Sequence, residues 1–321
     1  MTTLVTGGAG YVGSTFVERL LAEGEPVVVL DDLSRGHRDA VPAGATLCVG
    51  RVGDGELVKR VVAAHGVDAC AHFAGFIAVG ESVAEPLRYY ENNLAEGVSL
   101  LGALVASGVG RVIFSSTAAV YGSPADGALT EDAPLRPENP YGRTKLAFER
   151  CLADVAAATG LRHVTFRYFN AAGATAGCRE RHEPETHLVP NALRAARGEL
   201  PALRLFGTDF PTRDGTCERD YVHVADLADA HWRALGHLRA GGASLTLNLG
   251  GGVGHTVREV IAAVARVTGR RVPVAEEGRR AGDPARLVAD ITRAGEALGW
   301  RPTQSELDAV IASAWRAFGE V

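Results

Sequence analysis

The chain has 321 residues, of which 46% are hydrophobic and 22% charged, and a formal net charge of -5. These values are typical of a globular protein long enough for two domains, and they exclude the basic surface of a nucleic-acid-binding protein and a membrane span of ~18–20 apolar residues. The five cysteines form no Cys-x-x-Cys pair and the first strand leaves no room for a signal peptide, so we expect a cytoplasmic protein with reduced thiols.

The first half of the chain alternates short apolar runs with segments in which apolar residues recur at helical spacing. In the first such segment these residues are Val12, Phe16, Val17 and Leu20. This alternation predicts an α/β fold with a doubly wound, Rossmann-like parallel sheet, whose ligands lie beyond the carboxyl ends of the strands. The predicted strands are 2–6, 27–30, 46–49, 69–73, 111–115 and 163–167, and the predicted helices are 12–23, 56–64, 86–106 and 141–158.

The second half of the chain has a looser pattern, in which charged and Gly/Pro-rich stretches separate shorter elements. The stretches are 175–186 and 207–216, and the clearer helices are 224–238, 256–267 and 306–318. We therefore predict two domains. A parallel-sheet domain would span residues 1–170, and a smaller mixed α/β domain that holds the substrate would span residues 171–321.

A glycine-rich turn, TGGAGYVG at residues 6–13, joins the first predicted strand to the first predicted helix. Glycine suits a tight turn and the close approach of the backbone to a pyrophosphate, which would face the helix N-terminus. The second predicted strand leads into Asp31 and Asp32, and a carboxylate there can hold ribose hydroxyls and repel a 2′-phosphate. The pattern predicts a dinucleotide site that prefers NAD to NADP. An alternative role for Asp32 is to cap the following turn.

Hydroxyl and amine side chains follow at the same predicted edge of the sheet. Thr117 comes just after the fifth predicted strand, and Tyr141 and Lys145 stand one helical turn apart on one face of a helix. A phenol has a pKa of about 10, which a nearby ammonium and the positive nicotinamide ring would lower toward working pH. The combination predicts a tyrosine base, whereas the Tyr-x-x-x-Lys spacing alone would also suit a surface pair.

With these motifs, the sequence resembles the extended short-chain dehydrogenase/reductases and, within them, the UDP-glucose 4-epimerases. The resemblance spans essentially the whole chain. Its last three segments lie in the second half, where these epimerases differ from unrelated members of the superfamily. Besides the glycine turn, the segments that carry the resemblance are 73–75, 79–82, 89–93, 115–122, 140–145, 167–170, 206–209, 219–223 and 279–283.

The resemblance implies NAD-dependent epimerisation at C4 of a UDP-hexose by a homodimer, with UDP-glucose and UDP-galactose as substrates and the N-acetylhexosamines as further candidates. Tyr141 would be the catalytic base, Lys145 would bind the nicotinamide ribose, and Thr117 would hydrogen-bond the sugar 4-oxygen. The implied cofactor-binding residues are Gly7, Gly10, Tyr11, Val12, Gly13, Asp31, Asp32, Val52, Phe73, Ala74, Gly75, Asn93, Ser115, Tyr141, Lys145 and Tyr168.

The resemblance also implies a set of substrate contacts. Asn170 and Arg219 would grip the diphosphate, Phe206 would pack against uracil, and Arg280 and Asp283 would hold the nucleotide end. Arginine suits this task because its planar fork makes paired hydrogen bonds with phosphate. The full set is Thr117, Tyr141, Asn170, His187, Leu188, Phe206, Arg219, Arg280, Asp283 and Leu287.

Several of these residues have structural alternatives. Arg219 could form a surface ion pair with Asp220, Phe206 could be a core residue, and His187 could be a structural histidine. The position beside the sugar C2 is Leu287, which would leave room for an N-acetyl group. The alternative is that Leu287 turns into the core and a neighbouring residue forms the wall.

The chain departs from the family pattern at two cofactor positions. Arg51 stands where an acidic residue usually holds adenine and Ile77 stands where a lysine is common, so we expect looser retention of NAD.

Thr117 is followed by Ala118 and Ala119, where 4,6-dehydratases carry the acid and base of elimination, which argues against that reaction. A nucleotide-sugar reductase and a 4-epimerase of UDP-uronic acids or pentoses remain as alternatives. We expect NAD as the cofactor and no metal.

Overall fold

The computed structural model describes residues 1–123, 127–280 and 282–319. Its strands are β1 (Thr2–Thr6), β2 (Val27–Asp31), β3 (Thr46–Val49), β4 (Val67–His72), β5 (Arg111–Thr117), β6 (Arg162–Tyr168), β7 (Asn170–Ala172), β8 (Leu203–Phe206), β9 (Glu218–His223), β10 (Leu245–Leu249), β11 (Gly254–Thr256), β12 (Val274–Glu277) and β13 (Arg286–Leu287). Its helices are α1 (Tyr11–Ala22), α2 (Gly55–His65), α3 (Val79–Ala84), α4 (Pro86–Tyr89), α5 (Glu96–Ala106), α6 (Pro140–Thr159), α7 (Leu188–Arg197), α8 (Val224–Arg239), α9 (Val257–Thr268), α10 (Thr292–Leu298) and α11 (Leu307–Gly319).

The large sheet has seven parallel strands in the order β10-β6-β5-β4-β1-β2-β3. Strand β2 is buried throughout and carries three consecutive valines, as expected of a strand covered on both faces. From β1 the chain winds outward through β2 and β3, and then in the other direction through β4, β5 and β6. The topological switch point therefore lies between β1 and β4, where a doubly wound sheet opens its ligand crevice. The predicted fold class is confirmed.

Helices cover both faces of the large sheet. On one face, α1 and α8 contribute buried residues such as Phe16 and Leu227. On the other face, α2, α5 and α6 contribute Val58, Leu104 and Phe148. Each such side chain stabilises the fold by roughly 1.5–3 kcal/mol through the removal of apolar surface from water. Within the described ranges, none of the helices combines the length and the apolar character that crossing a membrane requires.

The large sheet draws on both halves of the chain. Strand β10 pairs in parallel with β6, from Leu245 opposite Val164 to Leu249 opposite Tyr168. Helix α8, which precedes β10, packs against α1. The division at residue 170 stays a prediction, but residues beyond it complete the sheet that we assigned to the first domain.

The rest of the second half forms two small sheets with helices around them. Strand β9 pairs in parallel with β7 and β13 and antiparallel with β11, and β8 pairs in parallel with β12. Helices α7, α9 and α11 share an apolar cluster in which Leu193, Val260 and Val310 are fully buried. The sequence predicted α9 and α11 to within one residue. It did not predict α7 or the strands β7–β9 and β11–β13, of which most are too short to show a period.

The predicted helix over residues 86–106 is interrupted in the structure. Helix α4 ends at Tyr89, residues 90–95 form a π-helical turn, and α5 begins at Glu96. The buried Asn93 lies in this wider turn, and its side chain bonds both the N–H and the C=O of Phe76, at 2.8 and 2.9 Å. Turns of this kind often occur at functional sites.

Helix α6 begins with two strong start signals. The side chain of Asn139 accepts the N–H of Gly142 at 2.8 Å, and Pro140 occupies the first helical position, where its missing N–H costs nothing. These signals fix the start of the helix one residue before Tyr141. Tyr141 and Lys145 therefore lie in its first two turns, close to the carboxyl end of β5.

Candidate active site

The glycine turn after β1 fits the diphosphate of a dinucleotide. Gly7 has φ +69°, and a side chain there would clash with the backbone of Ala74 at the end of β4. A side chain at Gly13 would overlap the Gly7 carbonyl. Helix α1 starts after Gly10, has no side-chain cap and carries no acidic residue in its first turn, so its N-terminus is suited to an anion. Tyr11 and Val12 lie within that first turn.

The two aspartates after β2 have different surroundings. Asp31 is buried, and its oxygens accept the N–H groups of Ala9 and Leu33, each at 2.9 Å. It thereby ties the glycine turn to the end of β2, and burial raises its pKa. Asp32 is exposed and accepts the N–H of Ser34 at 2.9 Å. The turn-capping alternative for Asp32 is thus what the structure contains, and its second oxygen still faces outward.

The end of β4 completes this side of the crevice. The N–H of Phe73 bonds the carbonyl of Thr6 at 3.0 Å, so residues 73–75 pass directly beside the glycine turn. Asn93 fastens the next residue, Phe76, and its amide also reaches Thr144 of α6 at 3.4 Å. Val52, at the adenine end, is buried. The structure brings these predicted cofactor-binding positions together on one edge of the sheet.

Lys145 is held under the carboxyl end of β5. Its side chain is buried, its Nζ donates to the carbonyl of Ser115 at 2.9 Å and lies 5.0 Å from the ring centre of Phe114. Burial lowers the pKa of Lys145 to about 8, against the opposing charge of Glu149. Tyr168 ends the neighbouring strand opposite Thr117.

Tyr141 lies beside Thr117, and burial is the largest influence on its acidity. Burial raises the pKa of Tyr141, and a hydrogen bond with Thr117 opposes this effect. The sequence had suggested that Lys145 would lower the pKa of Tyr141, but in the structure the ammonium is engaged with Ser115. A base at Tyr141 therefore depends on further positive charge close to its oxygen, which the nicotinamide ring can supply.

A buried ion pair that the sequence analysis missed lies behind the carboxyl ends of β5 and β6. Arg167 of β6 makes a forked contact with Glu149 of α6, and the two side chains are only 6% and 8% exposed. Ser116 also bonds Glu149, and Arg167 bonds Tyr121 at 3.1 Å. Glu149 lies one turn after Lys145, so its i+4 spacing was the available sequence signal.

We expect Glu149→Gln to lower the free energy of unfolding by about 3–5 kcal/mol, because it leaves the buried guanidinium of Arg167 without a counter-charge. Chemical denaturation of the two proteins measures this difference. The matched control is Glu56→Gln, which breaks the exposed pair with Lys59 and should change stability by less than about 1 kcal/mol. Equal effects of the two substitutions would contradict a special role for the buried pair.

A second group of predicted residues gathers around β9. Arg280 forms a forked ion pair with Asp283, at 3.0 and 3.2 Å, and its guanidinium lies 5.2 Å from the ring centre of Phe206. Arg219 donates to the carbonyl of Pro284 at 2.8 Å and lies 3.9 Å from Asp283. The group combines positive charge with one aromatic face, which suits a nucleoside diphosphate. Ala281, within the same motif, lies outside the described residues.

Two structural alternatives for this group are not found. Asp220 does not pair with Arg219 and instead accepts the N–H groups of Gly251, Gly252 and Ala289. Burial raises the pKa of Asp220 to about 6. Phe206 is half-buried and lies under the guanidinium groups of two arginines. Arg219 therefore does not form the ion pair with Asp220 that was one alternative for it. Phe206 likewise is not the core residue that was the alternative for its ring.

The remaining predicted contacts lie between the two groups or at their edge. Asn170 begins β7 and donates to the carbonyl of Asp220 at 2.8 Å. Leu287 pairs with Arg219 through the backbone, and its side chain packs on the apolar cluster that contains Ala118. This packing is in line with the alternative that Leu287 turns toward the core, and its neighbour Arg286 is exposed.

His187 and Leu188 lie at the start of α7. The Nδ1 atom of His187 lies 2.7 Å from Glu180 and 2.8 Å from Glu185. Burial lowers the pKa of His187, but the two carboxylates outweigh this effect and raise it to about 10. Leu188 packs partly into the apolar clusters beneath α7. The Nδ1 atom of His187 is thus paired with the two carboxylates, as expected if His187 is a structural histidine.

The two departures from the family pattern lie on the surface near the adenine end. Arg51 pairs with Glu96 of α5, whose second oxygen accepts the N–H of Gly53 at 3.3 Å. Ile77 is exposed. A carboxylate is therefore present near Val52, but it comes from α5 and is shared with Arg51.

A doubly wound sheet with a glycine turn, a Thr–Tyr–Lys group and a facing arginine group defines a dinucleotide-dependent enzyme acting on a nucleotide-linked substrate. The chain belongs to the NAD dependent epimerase/dehydratase family, whose sequence model matches residues 3–250. It is 52% identical over 313 residues to the UDP-glucose 4-epimerase of Azospirillum brasilense, an alignment that covers 97% of this chain and 90% of that one.

Solved structures agree with this assignment. The UDP-glucose 4-epimerase from Brucella ovis in complex with NAD matches with a TM-score of 0.96 and 46% identity, covering 99% of this chain and 98% of that chain. The UDP-Glc/GlcNAc 4-epimerase from Campylobacter jejuni matches with a TM-score of 0.87 and 37% identity, covering 100% and 99%.

Proposed function

We propose that this protein is an NAD-dependent 4-epimerase of UDP-hexoses, which interconverts UDP-glucose and UDP-galactose through a transient 4-keto sugar. The observation that carries this proposal is the placement of Thr117, Tyr141 and Lys145 at the carboxyl end of β5, on the same edge of the sheet as the glycine turn. The relatives named above, which match nearly the full chain, are described as UDP-glucose 4-epimerases and support the same reaction.

NAD fits the first group of residues. The bare N-terminus of α1 would hold the diphosphate, Asp31 and Asp32 the adenosine ribose, and Lys145 the nicotinamide ribose. The close approach of residues 73–75 to Gly7 leaves backbone rather than side chains on this side of the crevice. When bound, NAD accepts the hydride of the sugar C4 and later returns it to the opposite face.

The residues of this chain would transfer the proton of the sugar 4-hydroxyl. In our proposal the Tyr141 oxygen takes that proton as hydride leaves C4, and it returns the proton when the 4-keto group is reduced. Thr117 orients the sugar 4-oxygen by a hydrogen bond. The positive nicotinamide ring would favour the deprotonated state of Tyr141, and Lys145, held beside Ser115, would bind the nicotinamide ribose.

The second group would hold the nucleotide while the sugar turns. Arg219 and Asn170 would bind the diphosphate, and the half-buried ring of Phe206 would stack on uracil. Arg280, anchored by Asp283, would close over the nucleotide end. His187, Leu188 and Leu287 would line the remaining wall. Elimination of water is not part of the proposal, since Ala118 and Ala119 have no titratable group.

Incubation of the purified protein with each UDP-sugar, followed by NMR of the anomeric protons, tests the proposal. We expect UDP-glucose and UDP-galactose to reach the same mixture from either side. Apoenzyme should regain this activity with NAD and not with NADP. Conversion of a UDP-uronic acid or a UDP-pentose but not of the UDP-hexoses would show that the enzyme acts on another class of substrate. Free reduced cofactor in proportion to product would indicate a reductase or dehydrogenase.

We further propose that the enzyme is a cytoplasmic homodimer. All five cysteines are unpaired, which suits a reducing compartment. Exposed aliphatic side chains are concentrated before and along α3–α5, and a face of this kind often pairs with a second copy. The exposed residues are Ile77, Val79, Val83, Leu87 and Val98.

We expect Leu87→Asp combined with Val98→Asp to convert the dimer to a monomer, measured by light scattering after size-exclusion chromatography. A charge on each partner would oppose association across an apolar interface. The control is Val253→Asp, which is also exposed but lies between β10 and β11. A wild type that is monomeric at micromolar concentration would rule out the dimer.

A further inference from the structure

Four side chains of metal-ligand type converge in the segment between β7 and α7, and apart from the place of His187 in the substrate wall the proposed reaction gives them no task. They are Glu180, His182, Glu185 and His187, and their ligand atoms all lie within 4.8 Å of one another. In both histidines it is the Nδ1 atom of the imidazole that lies near the two carboxylates. These contacts are 2.7 Å and 2.8 Å for His187 and 3.0 Å and 4.0 Å for His182.

The charges of this cluster are enclosed. The side chains of Glu180 and Glu185 are each only 7% exposed, so two negative charges lie largely out of water. The two buried carboxylates require compensation, either by protons on the facing imidazoles or by a cation in their place. A divalent cation with two carboxylates and two neutral imidazoles is electrically balanced.

The ligand types also agree with one class of metal. Zinc takes imidazole nitrogen and carboxylate oxygen at ~2.0–2.2 Å in tetrahedral sites, which places neighbouring ligand atoms roughly 3–3.5 Å apart. Three of the four measured N–O distances lie within a few tenths of an ångström of that range. Four protein ligands fill a tetrahedral shell, which is typical of a structural rather than a catalytic zinc site.

We propose that Glu180, His182, Glu185 and His187 bind one divalent transition-metal ion of the zinc class. This departs from our expectation that the protein uses no metal. The ion has a structural role and does not reach the Tyr141 group.

The surroundings of the cluster show what the ion would hold in place. Main-chain carbonyls of the same segment accept hydrogen bonds from Arg35, at 2.8 Å, and from His37, at 3.0 Å, both in the loop after β2. The ring of His182 lies edge-on to Tyr11 at 6.3 Å. His187 is the residue from which α7 starts. The ion therefore fastens the segment between the proposed ribose end of the NAD site and the first turn of α7.

Metal titration of the chelator-treated wild-type protein tests the proposal. We expect one Zn²⁺ per chain by calorimetry, and visible absorption on addition of Co²⁺ that Zn²⁺ removes. The double variant His182→Asn with His187→Asn should bind Zn²⁺ at least ~100-fold more weakly, since even outer-shell partners of metal sites are worth 10–100-fold. Thermal stability should rise with Zn²⁺ in the wild type and not in the double variant.

The control variant is His255→Asn. His255 also faces a carboxylate, Glu259 at 4.0 Å, but it is not part of a larger group, and the variant should keep wild-type affinity. Should the double variant not fold, Glu180→Gln takes its place, because Gln keeps a hydrogen-bonding group at that position.

Two results would overturn the metal site. One is a wild type without saturable Zn²⁺ binding tighter than ~10 µM, which would leave the cluster as an ion-pair network. The other is unchanged affinity in the ligand variants, which would place the ion elsewhere. These titrations use neither sugar nor NAD, so their failure would leave the proposed epimerase activity untouched.

Discussion

Tyr141→Phe should lower kcat by at least ~100-fold, the lower range for the loss of a positioned general base, while UDP-sugar binding survives. The substitution removes only the phenol oxygen. The ring keeps its place, including the edge-on contact with Tyr89 at 6.5 Å. The loss should therefore appear in kcat, measured by the interconversion of UDP-glucose and UDP-galactose, and not in the Kd for UDP-sugar, measured by calorimetry.

The matched control for this result is Tyr90→Phe, which removes a phenol oxygen from a partly exposed tyrosine near the same site and should leave kcat unchanged. Retention of most of the turnover in Tyr141→Phe would remove this residue from the proposed mechanism. A parallel loss of turnover and of sugar binding would instead indicate a structural role.

Leu287→Tyr should abolish the epimerisation of UDP-N-acetylglucosamine and spare that of UDP-glucose. After hydride removal the 4-keto sugar must turn about its bond to the diphosphate, so the residues around the swept volume limit the substituent at C2. Leu287 is half-buried, packs on the cluster with Ala118 and pairs with Arg219 through the backbone, and in the proposed mechanism it would line this volume. Leucine lacks the ring and hydroxyl of tyrosine and leaves more room.

The expected loss is large because it rests on steric exclusion. An apolar pocket discriminates among groups that it can contain by only ~1–3 kcal/mol per methylene-sized unit. The free-energy cost of a clash with a rigid ring is not confined to this range. We expect the wild type to convert both substrates, because the smaller leucine leaves room for the N-acetyl group.

The control for the gate is Arg286→Tyr, because the exposed Arg286 is the neighbouring residue of β13. A selective loss of N-acetylated turnover in Arg286→Tyr but not in Leu287→Tyr would assign the wall to position 286. Equal loss of both activities in Leu287→Tyr, or a wild type that does not turn over the N-acetylated sugar, would contradict the gate.

The sequence revealed those parts of the site whose residues are neighbours along the chain. The glycine turn at 6–13 and the Tyr141–Lys145 pair are each short local motifs, so their spacing within the predicted strand and helix order indicates their geometry. The strands β1–β6 of the large sheet were also predicted, because buried parallel strands are continuous apolar runs, but β10 was not. For the contacts around Arg219 and Phe206, resemblance to a family supplied what spacing could not, since β8, β9 and β13 are short.

The parts that the sequence did not reveal depend on how distant segments meet. Glu149 and Arg167 become partners because α6 packs beside β6, and the i+4 spacing of Lys145 and Glu149 does not indicate this pairing. The cluster around Glu180 and His187 requires the path of an irregular segment, which the sequence analysis noted only as rich in Arg, Glu and His. The interruption of the helix over 86–106 coincides with Asn93, whose side chain bonds the backbone of Phe76, 17 residues earlier in the chain.

The place of β10 at the edge of the large sheet has a consequence for biosynthesis. When β6 leaves the ribosome, its outer edge has no partner, because about 80 residues must still be made before β10 emerges, which takes roughly 4–16 s at bacterial or eukaryotic rates. During that interval the nascent chain presents an open hydrogen-bonding edge, the template for aggregation in β proteins. Chaperone dependence during translation should therefore peak between the synthesis of β6 and that of β10, and chains released early should be insoluble.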